Sequence, residues 1–357
     1  MISSGDILTD NPSFEIVIPN WNGAKMLGDC LNSLSRQSYQ NFMITVVDNG
    51  STDDSLAMLA RDYPSVRVLS YPENRGFSAA VNAGIRKARA PWILLLNNDM
   101  EVEKNCLLKL LNGMVDFPDA DFFALKMYNF HERELLDGAG DAMLRGGVGY
   151  RLGVMEHDGE RYRFDRLCFG ACAGAALYSR RLFERVGYFD EDFFAYVEDV
   201  DLNLRAARAG ACCVFLCEAK IYHIGSATSG SKFNELTIRL STRNNINLMV
   251  KNYPGLLFLR FLPAIIIYQC MWLLFCIKKG VFVPWFRGVC EALSPRSLRL
   301  FYSKHNEQLA HVSREELRLL GNRIVASERE AIASIMARRN ENGRSNRLLR
   351  FYLKLFC

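Results

Sequence analysis

Three carboxylate-bearing stretches in this sequence are spaced for chemistry rather than for solubility. Asp99 follows five apolar residues, Trp92–Leu96, and two asparagines, Asn97 and Asn98. A carboxylate at the mouth of a buried strand suits a hard divalent cation that bridges phosphate oxygens. It equally suits the cap of a helix beginning near Val102. Asp48 opens the loop Asp48-Asn49-Gly50-Ser51-Thr52-Asp53-Asp54 at another strand end. There it could accept a hydrogen bond from the imide N–H of uracil or thymine, or close an Asx-turn, with Asp53 and Asp54 capping the next helix.

The densest stretch is Gly187–Leu202, where six acids lie among five aromatics. A solvated charged face is not composed that way. Continued as a helix, Val200, Leu202, Leu204 and Ala207 pack inward and Glu198 and Asp199 stand at its N-terminal end, where the helix dipole favours ionised carboxylates. An ionised carboxylate there can take a proton from an attacking hydroxyl; the plainer reading is a capping cluster in which Asp199 or Asp201 satisfies backbone N–H groups. His223, in Ile221-Tyr222-His223-Ile224-Gly225, is a packed residue or a metal ligand.

These residues need elements to hold them. Four short apolar runs, Phe14–Ile18, Ile44–Val47, Val66–Leu69 and Trp92–Leu96, predict strands. Between them, Ala24–Arg36 sets Met26, Leu27, Cys30, Leu31 and Leu34 at helical spacing, and Ser55–Arg61 and Ser78–Ala88 read similarly. Strands alternating with helices predict a mixed, mostly parallel α/β sheet covered on both faces, with ligands bound beyond the carboxyl ends of its strands. Polar residues collect at those ends: Pro19-Asn20-Trp21-Asn22-Gly23, the Asp48 loop, Glu73-Asn74-Arg75-Gly76-Phe77 and Asn97-Asn98-Asp99. Turn chemistry explains one such cluster but not four in corresponding places.

No G-x-G-x-x-G follows the first strand and no G-x-x-x-x-G-K-[ST] occurs, so dehydrogenase and P-loop readings lose their main support. A diphosphate held without such a loop calls for a divalent cation and carboxylate ligands.

The totals set the compartment and the partners. Of the net charge of +5, residues 296–357 carry 13 Lys or Arg against six acids, an excess of seven, so the rest of the chain sums to about −2. Eleven scattered cysteines and an N-terminus without an apolar leader favour the reducing cytoplasm. Cys212, Cys213 and Cys217 with His223 could suggest zinc, but the run ACCVFLC reads as a buried strand.

After Pro254 the chain turns apolar. GLLFLRFLPAIIIYQCMWLLFC is long enough to span a bilayer, but Arg260, Pro263 and Gln269 interrupt it. Lys278-Lys279, Phe282-Val283-Pro284-Trp285-Phe286 and the amphipathic RLLRFYLKLFC suit a membrane interface. The expectation is a helical appendix lying on an anionic membrane surface rather than crossing it; the alternative is a helical subdomain packed on the core or on a second subunit. The apolar residues around the basic tail argue against nucleic acid.

With these residues in hand, the chain resembles the inverting nucleotide-sugar glycosyltransferases of family 2, from about Phe14 to Pro254. Four blocks carry the resemblance, in order: IVIPNWNG; VVDNGSTDDS; NRGFSAAVNAGIRKA with LLLNNDM; and GACAGAALYSRRLFERVGYFDEDFFAYVEDVDLNLRAARAG. IYHIGSATSG and TRNNINLMVKNYP are similar to bacterial rhamnosyltransferase-type members.

The resemblance implies a GT-A fold with a Rossmann-like sheet and a membrane-associated helical appendix. It implies nucleotide-sugar contacts at Pro19, Asn20, Asn22, Asp48, Asn74, Arg75, Gly76 and Asn98. It further implies metal ligation (Mg²⁺ or Mn²⁺) at Asp99 and His223, and catalysis by Asp199 beside Glu198. Asn97 departs from the family's D-x-D pattern and leaves fewer charges for the metal.

The implied reaction is transfer of a sugar, with inversion, from a nucleotide diphosphate to a hydroxyl of a glycan or lipid-linked saccharide in cell-surface polysaccharide assembly. The first-choice donor is dTDP-rhamnose, with UDP-hexoses the alternative. The expected place is the cytoplasmic face of the inner (plasma) membrane, peripheral or monotopic, with room for a homo-oligomer. The expected division is a catalytic domain over 1–250, a hydrophobic membrane-associated segment over 251–300 and a basic helical tail over 301–357. Two rivals differ in class. A non-catalytic nucleotide-sugar-binding scaffold predicts binding without turnover, and a nucleotidyltransferase predicts pyrophosphate release from a nucleoside triphosphate.

Overall fold

The computed structural model describes residues 13–225, 234–310 and 312–356. Its N-terminal half follows the expected alternation. Strands β1 (Phe14–Asn20), β2 (Phe42–Asn49), β3 (Arg67–Tyr71) and β4 (Trp92–Leu96) alternate with helices α1 (Ala24–Ser35), α2 (Ser55–Asp62) and α3 (Phe77–Lys87). The predicted ends agree to within two residues.

The chain continues through β5 (Met100–Val102), α4 (Cys106–Asp116), β6 (Phe122–Asn129), β7 (Leu136–Ala139), β8 (Asp141–Leu144) and β9 (Val148–Arg151). Then come β10 (Arg166–Cys168), β11 (Ala175–Ser179), α5 (Arg180–Val186), α6 (Glu198–Arg208) and β12 (Cys213–His223). The main sheet runs in the order β10-β12-β6-β11-β4-β1-β2-β3, with β5 added beside β12 and β7 beside β6. β1, β2, β3, β4, β6 and β12 run one way and β10 and β11 the other, so the sheet is mixed and mostly parallel. β8 and β9 form a separate hairpin.

Side chains alternate across the strands and build two cores. Ile16, Ile18, Leu94, Leu96 and Phe123 face one layer, with Leu27, Leu31 and Leu34 of α1 and Leu107 and Leu110 of α4. Val17, Ile93, Leu95 and Phe122 face the other, with Val81 and Ile85 of α3, Leu182 of α5 and Leu202 of α6. Both faces of the central strands are dry, so their polar termini are the places left for function.

Five helices complete the described chain: α7 (Glu235–Asn252), α8 (Gly255–Lys278), α9 (Phe282–Ala292), α10 (Pro295–Leu309) and α11 (Arg314–Glu341), followed by α12 (Arg347–Phe356) at the end. A third core joins them to the sheet domain. It contains Met143 of β8, Phe193, Leu204 of α6, Leu248 of α7, Phe261 and Ile265 of α8, Phe301 of α10, and Leu320 and Ile324 of α11. Residue 250 falls inside α7 and residue 300 inside α10.

A buried ion cluster ties the same elements. Lys251 Nζ donates to Asp201 Oδ2 at 2.8 Å and to Asp190 Oδ2 at 2.7 Å, and Arg205 Nε donates to Asp201 Oδ2 at 2.8 Å. Burial opposes the Asp201 charge, but Lys251 and Arg205 win and hold its pKa far below the usual carboxylate range. Asp201 is therefore part of an ion cluster and not a helix cap.

The apolar stretch after Pro254 differs from the expectation of an interrupted segment. α8 runs unbroken for 24 residues with Pro263 inside it, and is long and apolar enough, by length and composition, to cross a membrane. Only 22% of its most apolar window is buried in the protein. Gln269 is no break either: its amide donates to Asn245 Oδ1 of α7 at 2.7 Å.

Candidate active site

A cleft of about 610 Å³ opens at the carboxyl ends of β1, β2 and β4. Pro19, Asn20, Asn74, Gly76, Asn98, Asp99, Glu198, Asp199 and His223 all line it. Residues up to 204 positions apart in sequence thus share one space, because each sits where an element ends.

At one end, asparagines set the wall. Asn98 Nδ2 donates to Asn20 Oδ1 at 2.7 Å, and Asn20 Nδ2 donates to Asp48 Oδ1 at 3.2 Å. Ser51 N–H donates to the other oxygen of Asp48 at 3.1 Å, which is the turn-closing alternative. Asp48 is fully buried and stands behind Asn20 rather than in the cleft wall. Asn22 and Arg75 also lie outside that wall. Asn22 Oδ1 accepts from Thr52 N–H at 2.7 Å, and the Arg75 guanidinium lies 4.9 Å from the Tyr71 ring centre. Asn49, not singled out by sequence, shapes the Asn74 loop by donating to Asn74 Oδ1 at 3.0 Å and to Gly76 O at 3.1 Å. Gly76 has φ +88°, and a Cβ there would come within 2.5 Å of Phe194 O, so only glycine fits. Of the two suggested caps, Asp53 accepts from Ser55 N–H at 3.1 Å, whereas Asp54 makes no side-chain cap bond.

Asp99 is not a helix cap. It is followed by β5, and α4 begins only at Cys106. Its Oδ2 lies 3.3 Å from His223 Nε2, and its buried Oδ1 has no hydrogen-bond partner. His223 Nδ1 lies 2.6 Å from Asp137 Oδ2, which also accepts from Arg151 at 2.6 Å. Burial opposes a charge on His223, but Asp137 and Asp99 raise its pKa above the ordinary value. With Nδ1–H committed to Asp137, Nε2 is the nitrogen left facing Asp99, and it would have to give up its proton to bind a metal; an outer carboxylate that orients a metal-binding histidine is a known arrangement. Among the described residues no cluster of three or more His, Cys, Asp or Glu is arranged around a metal. Asp99 and His223 therefore fit a divalent ion whose other ligands are phosphate oxygens and water. Of the cysteines considered with His223, Cys213 and Cys217 are buried in β12 and Cys212 directly precedes it.

Glu198 and Asp199 form the first turn of α6, as expected, with Leu202, Leu204 and Ala207 buried behind them. Val200 is partly buried against the third core and also lines the cleft. The backbone leading in is strained, with φ of +66° at Phe194, +68° at Tyr196 and +73° at Val197. Bulky and β-branched residues avoid this region, at about 1–3 kcal/mol each.

α7 holds the strain. The amide nitrogen of buried Asn244 lies 2.9 Å from Phe193 O, 2.9 Å from Ala195 O and 2.7 Å from Tyr196 O. Asp199 Oδ1 accepts from Val200 N–H at 2.8 Å and Oδ2 from Ala173 N–H at 3.4 Å. Glu198 Oε2 is buried without a partner. Burial and the neighbouring Asp199 push Glu198 up to about 8. Burial also raises Asp199, opposed by Arg151 and by its backbone donors. Those donors and Arg151 make Asp199 the ionised member of the pair and Glu198 the protonated one.

Sequence reading missed Asp137, Asp141 and Arg151. Asp137 and Asp141 punctuate the small, apolar stretch Leu136-Asp137-Gly138-Ala139-Gly140-Asp141, but nothing local says that they meet the cleft or Arg151. Asp141 is buried in the cleft with Oδ1 unpartnered, and burial plus Asp199 raise it to about 7.

Residues 15–187 match the model of the family "Glycosyl transferase family 2". The N-acetylglucosaminyl-diphospho-decaprenol L-rhamnosyltransferase of Mycobacterium tuberculosis is 28% identical over 222 residues, 56% of this chain and 72% of that one. A PGL/p-HBAD biosynthesis glycosyltransferase of Mycobacterium bovis is 28% identical over 200 residues, 54% of this chain and 69% of that one. A mannosyltransferase from Pyrobaculum calidifontis, solved with GDP-Man and Mn²⁺, aligns with a TM-score of 0.49 at 13% identity over 92% of this chain and 88% of that one. That last likeness is too loose to carry an argument. Residues 15–187, which include the strand ends that build the cleft, are thus matched to glycosyl transferase family 2, and the curated relatives are glycosyltransferases.

Proposed function

We propose that this protein moves a sugar from a nucleotide-diphosphate donor onto an acceptor hydroxyl, with inversion at the anomeric carbon. Rhamnose from dTDP-rhamnose is the first-choice donor sugar, in keeping with the named activity of the mycobacterial relative. The observation that carries the reading is that Asp99, His223 and Asp199 line one cleft; the reading makes the first two its phosphate end and Asp199 its proton-accepting end.

Asp199 takes the proton of the acceptor hydroxyl as its oxygen bonds the anomeric carbon from the face opposite the nucleotide. The bond from that carbon to the diphosphate breaks, and the diphosphate leaves with the electron pair. Asp99 and His223 would hold Mg²⁺ or Mn²⁺, which when bound neutralises charge on the departing diphosphate. Pro19, Asn20, Asn74, Gly76 and Asn98 cradle the nucleotide sugar, while Asp48 orients Asn20 from behind. Asn22 and Arg75, proposed nucleotide contacts as well, lie outside the cleft wall. Glu198, kept protonated, leaves Asp199 as the single anion of the pair and excludes bulk water beside it.

Residues 1–250 are the catalytic unit in this reading, 251–300 the membrane seat and 301–357 the basic tail. The apolar outer face of α8, with Lys278 and Lys279 at its end, supports seating on an anionic cytoplasmic leaflet and a lipid-linked acceptor. A panel of dTDP-, UDP- and GDP-sugars with Mg²⁺ or Mn²⁺ tests the proposal. Release of one nucleoside diphosphate, abolished by EDTA, is expected; binding without release from any donor would support the scaffold instead.

A further inference from the structure

α8 has two different faces. Leu256, Leu259, Ile266, Leu274 and Ile277 follow one another at three- and four-residue spacing, or multiples of it, along one exposed stripe, with no charged residue among them. The other face belongs to the protein: Leu257, Phe261 and Ile265 enter the third core, and Tyr268 and Trp272, one turn apart, line the catalytic cleft. A helix that the sequence offers as a membrane seat therefore also supplies a wall of the active site.

That wall is fixed in place. Trp272 Nε1–H donates to Thr242 Oγ1 of α7 at 2.9 Å, which pins the indole ring. Tyr268 is seated by the β8–β9 turn: a Cβ on Gly146 would meet Tyr268 Cβ at 2.8 Å, so the bare backbone there is what lets the ring lie against it. Asn245 Nδ2 donates to Gly147 O of the same turn at 2.6 Å while accepting from Gln269 of α8. On β8, below this turn, Asp141 lines the cleft as a more than nine-tenths buried carboxyl whose Oδ1 has no partner in the protein. Nothing at the nucleotide end of the cleft uses these three residues.

Flat aromatic faces in a cleft that also holds an unsatisfied carboxyl suit a saccharide: the C–H face of one sugar ring lies on the aromatic surface, and a hydroxyl farther along the saccharide bonds the carboxyl. We propose that Trp272 and Tyr268, with Asp141, form the acceptor-sugar subsite, and that it takes the saccharide head of a lipid-linked glycan whose tail lies along the exposed stripe of α8. This inference rests on the transferase reading above. It adds which residues hold the acceptor and why a membrane-seated helix is built into the cleft. Trp272 and Asp141 touch substrate in this account, and Tyr268 completes the platform.

The test measures transfer of labelled sugar from the accepted donor into a bacterial membrane lipid extract carrying lipid-linked saccharides, beside donor hydrolysis without extract. The full chain is used throughout. Trp272→Ala should raise the apparent KM for extract about tenfold, the scale of one lost aromatic contact. Donor KM should move far less than acceptor KM, while Tm falls modestly because the bond from Trp272 to Thr242 is lost. Trp272→Phe, which keeps an aromatic face but loses the bond to Thr242, should recover most of the acceptor KM. Acceptor KM unchanged in Trp272→Ala, or donor and acceptor KM rising together, overturns the subsite. Wild-type donor hydrolysis without any transfer to the extract overturns the lipid-linked acceptor class while leaving the transferase reading intact. Absence of hydrolysis from every donor instead overturns that reading itself.

Discussion

The side-chain amide nitrogen of Asn244 lies 2.7 Å from the carbonyl oxygen of Tyr196, two residues before the acidic pair Glu198-Asp199. Through this and its bonds to Phe193 and Ala195, one buried asparagine on α7 stabilises a turn whose residues would not choose positive φ unaided. Local strain and its restraint come from different parts of the chain, and between them they aim Asp199 into the cleft.

Replacing Asn244 by Ala leaves carbonyls of that turn without their donor, which costs about 1–3 kcal/mol. The turn then relaxes and moves the base, at about 10²-fold in kcat for a displacement near 1 Å. Urea unfolding and initial rates on one preparation check both. A variant that unfolds at the wild-type midpoint and turns over at the wild-type rate contradicts the role.

The Lys251 cluster makes a separable prediction about stability. Lys251→Met leaves Asp201 and Asp190 partly uncompensated in the interior and costs about 3–5 kcal/mol in urea unfolding. The sign with pH follows from Asp201, whose folded pKa is depressed. Its contribution is present above its unfolded value near 3.9 and is lost as pH falls through the lower, folded value. Wild type should therefore lose stability steeply below about pH 4, and the variant less so.

Glu198 titrates in the opposite sense. Its folded pKa is raised to about 8, against an unfolded value of about 4.3. Between those values the folded state binds the extra proton, so stability falls as pH rises from about 4.3 and levels off above about 8. Glu198→Gln removes this slope. Tm measured from pH 5 to 8 should fall for the wild type and stay flatter for the variant; parallel curves would falsify the protonated assignment. For catalysis, the raised pKa of Asp199 places the acid limb of kcat/KM above the ordinary range near 3.9.

Much of this was legible in the sequence, for identifiable reasons. The strands β1, β2 and β4 are written as apolar runs whose side chains feed two cores, and their polar ends mark the cleft, because a doubly covered sheet leaves its strand termini to solvent and ligand. Asp99, Asp199 and His223 could be picked because each breaks an apolar context. Asp137, Asp141 and Arg151 could not, because they matter through pairing across β7, β8 and β9, and no local pattern states which strand they will face. α8 misled for a related reason. Arg260, Pro263 and Gln269 look like interruptions one at a time, yet Arg260 reaches Asn322 of α11 at 3.1 Å and Gln269 reaches Asn245. Partners distant in sequence turn apparent breaks into struts.

Asp137 gives a prediction that does not depend on turnover. It accepts from His223 Nδ1 and so leaves Nε2 as the nitrogen that would meet a metal in the proposed reading. Asp137→Asn should weaken Mn²⁺ binding in the presence of nucleoside diphosphate by about 10–100-fold, read by calorimetry. Unchanged affinity would detach His223 from metal binding.

The central claim is that Asp199 removes the acceptor proton in glycosyl transfer. It is tested most directly by comparing Asp199→Asn with the wild type on the donor the panel selects. Nucleoside diphosphate binding is followed by calorimetry, and transfer by labelled product. The account predicts binding within about threefold of the wild type and transfer lost by about 10²–10⁴-fold, the usual range for a general base. Transfer retained at the wild-type rate would contradict it and move the proton acceptor to another carboxylate of the cleft.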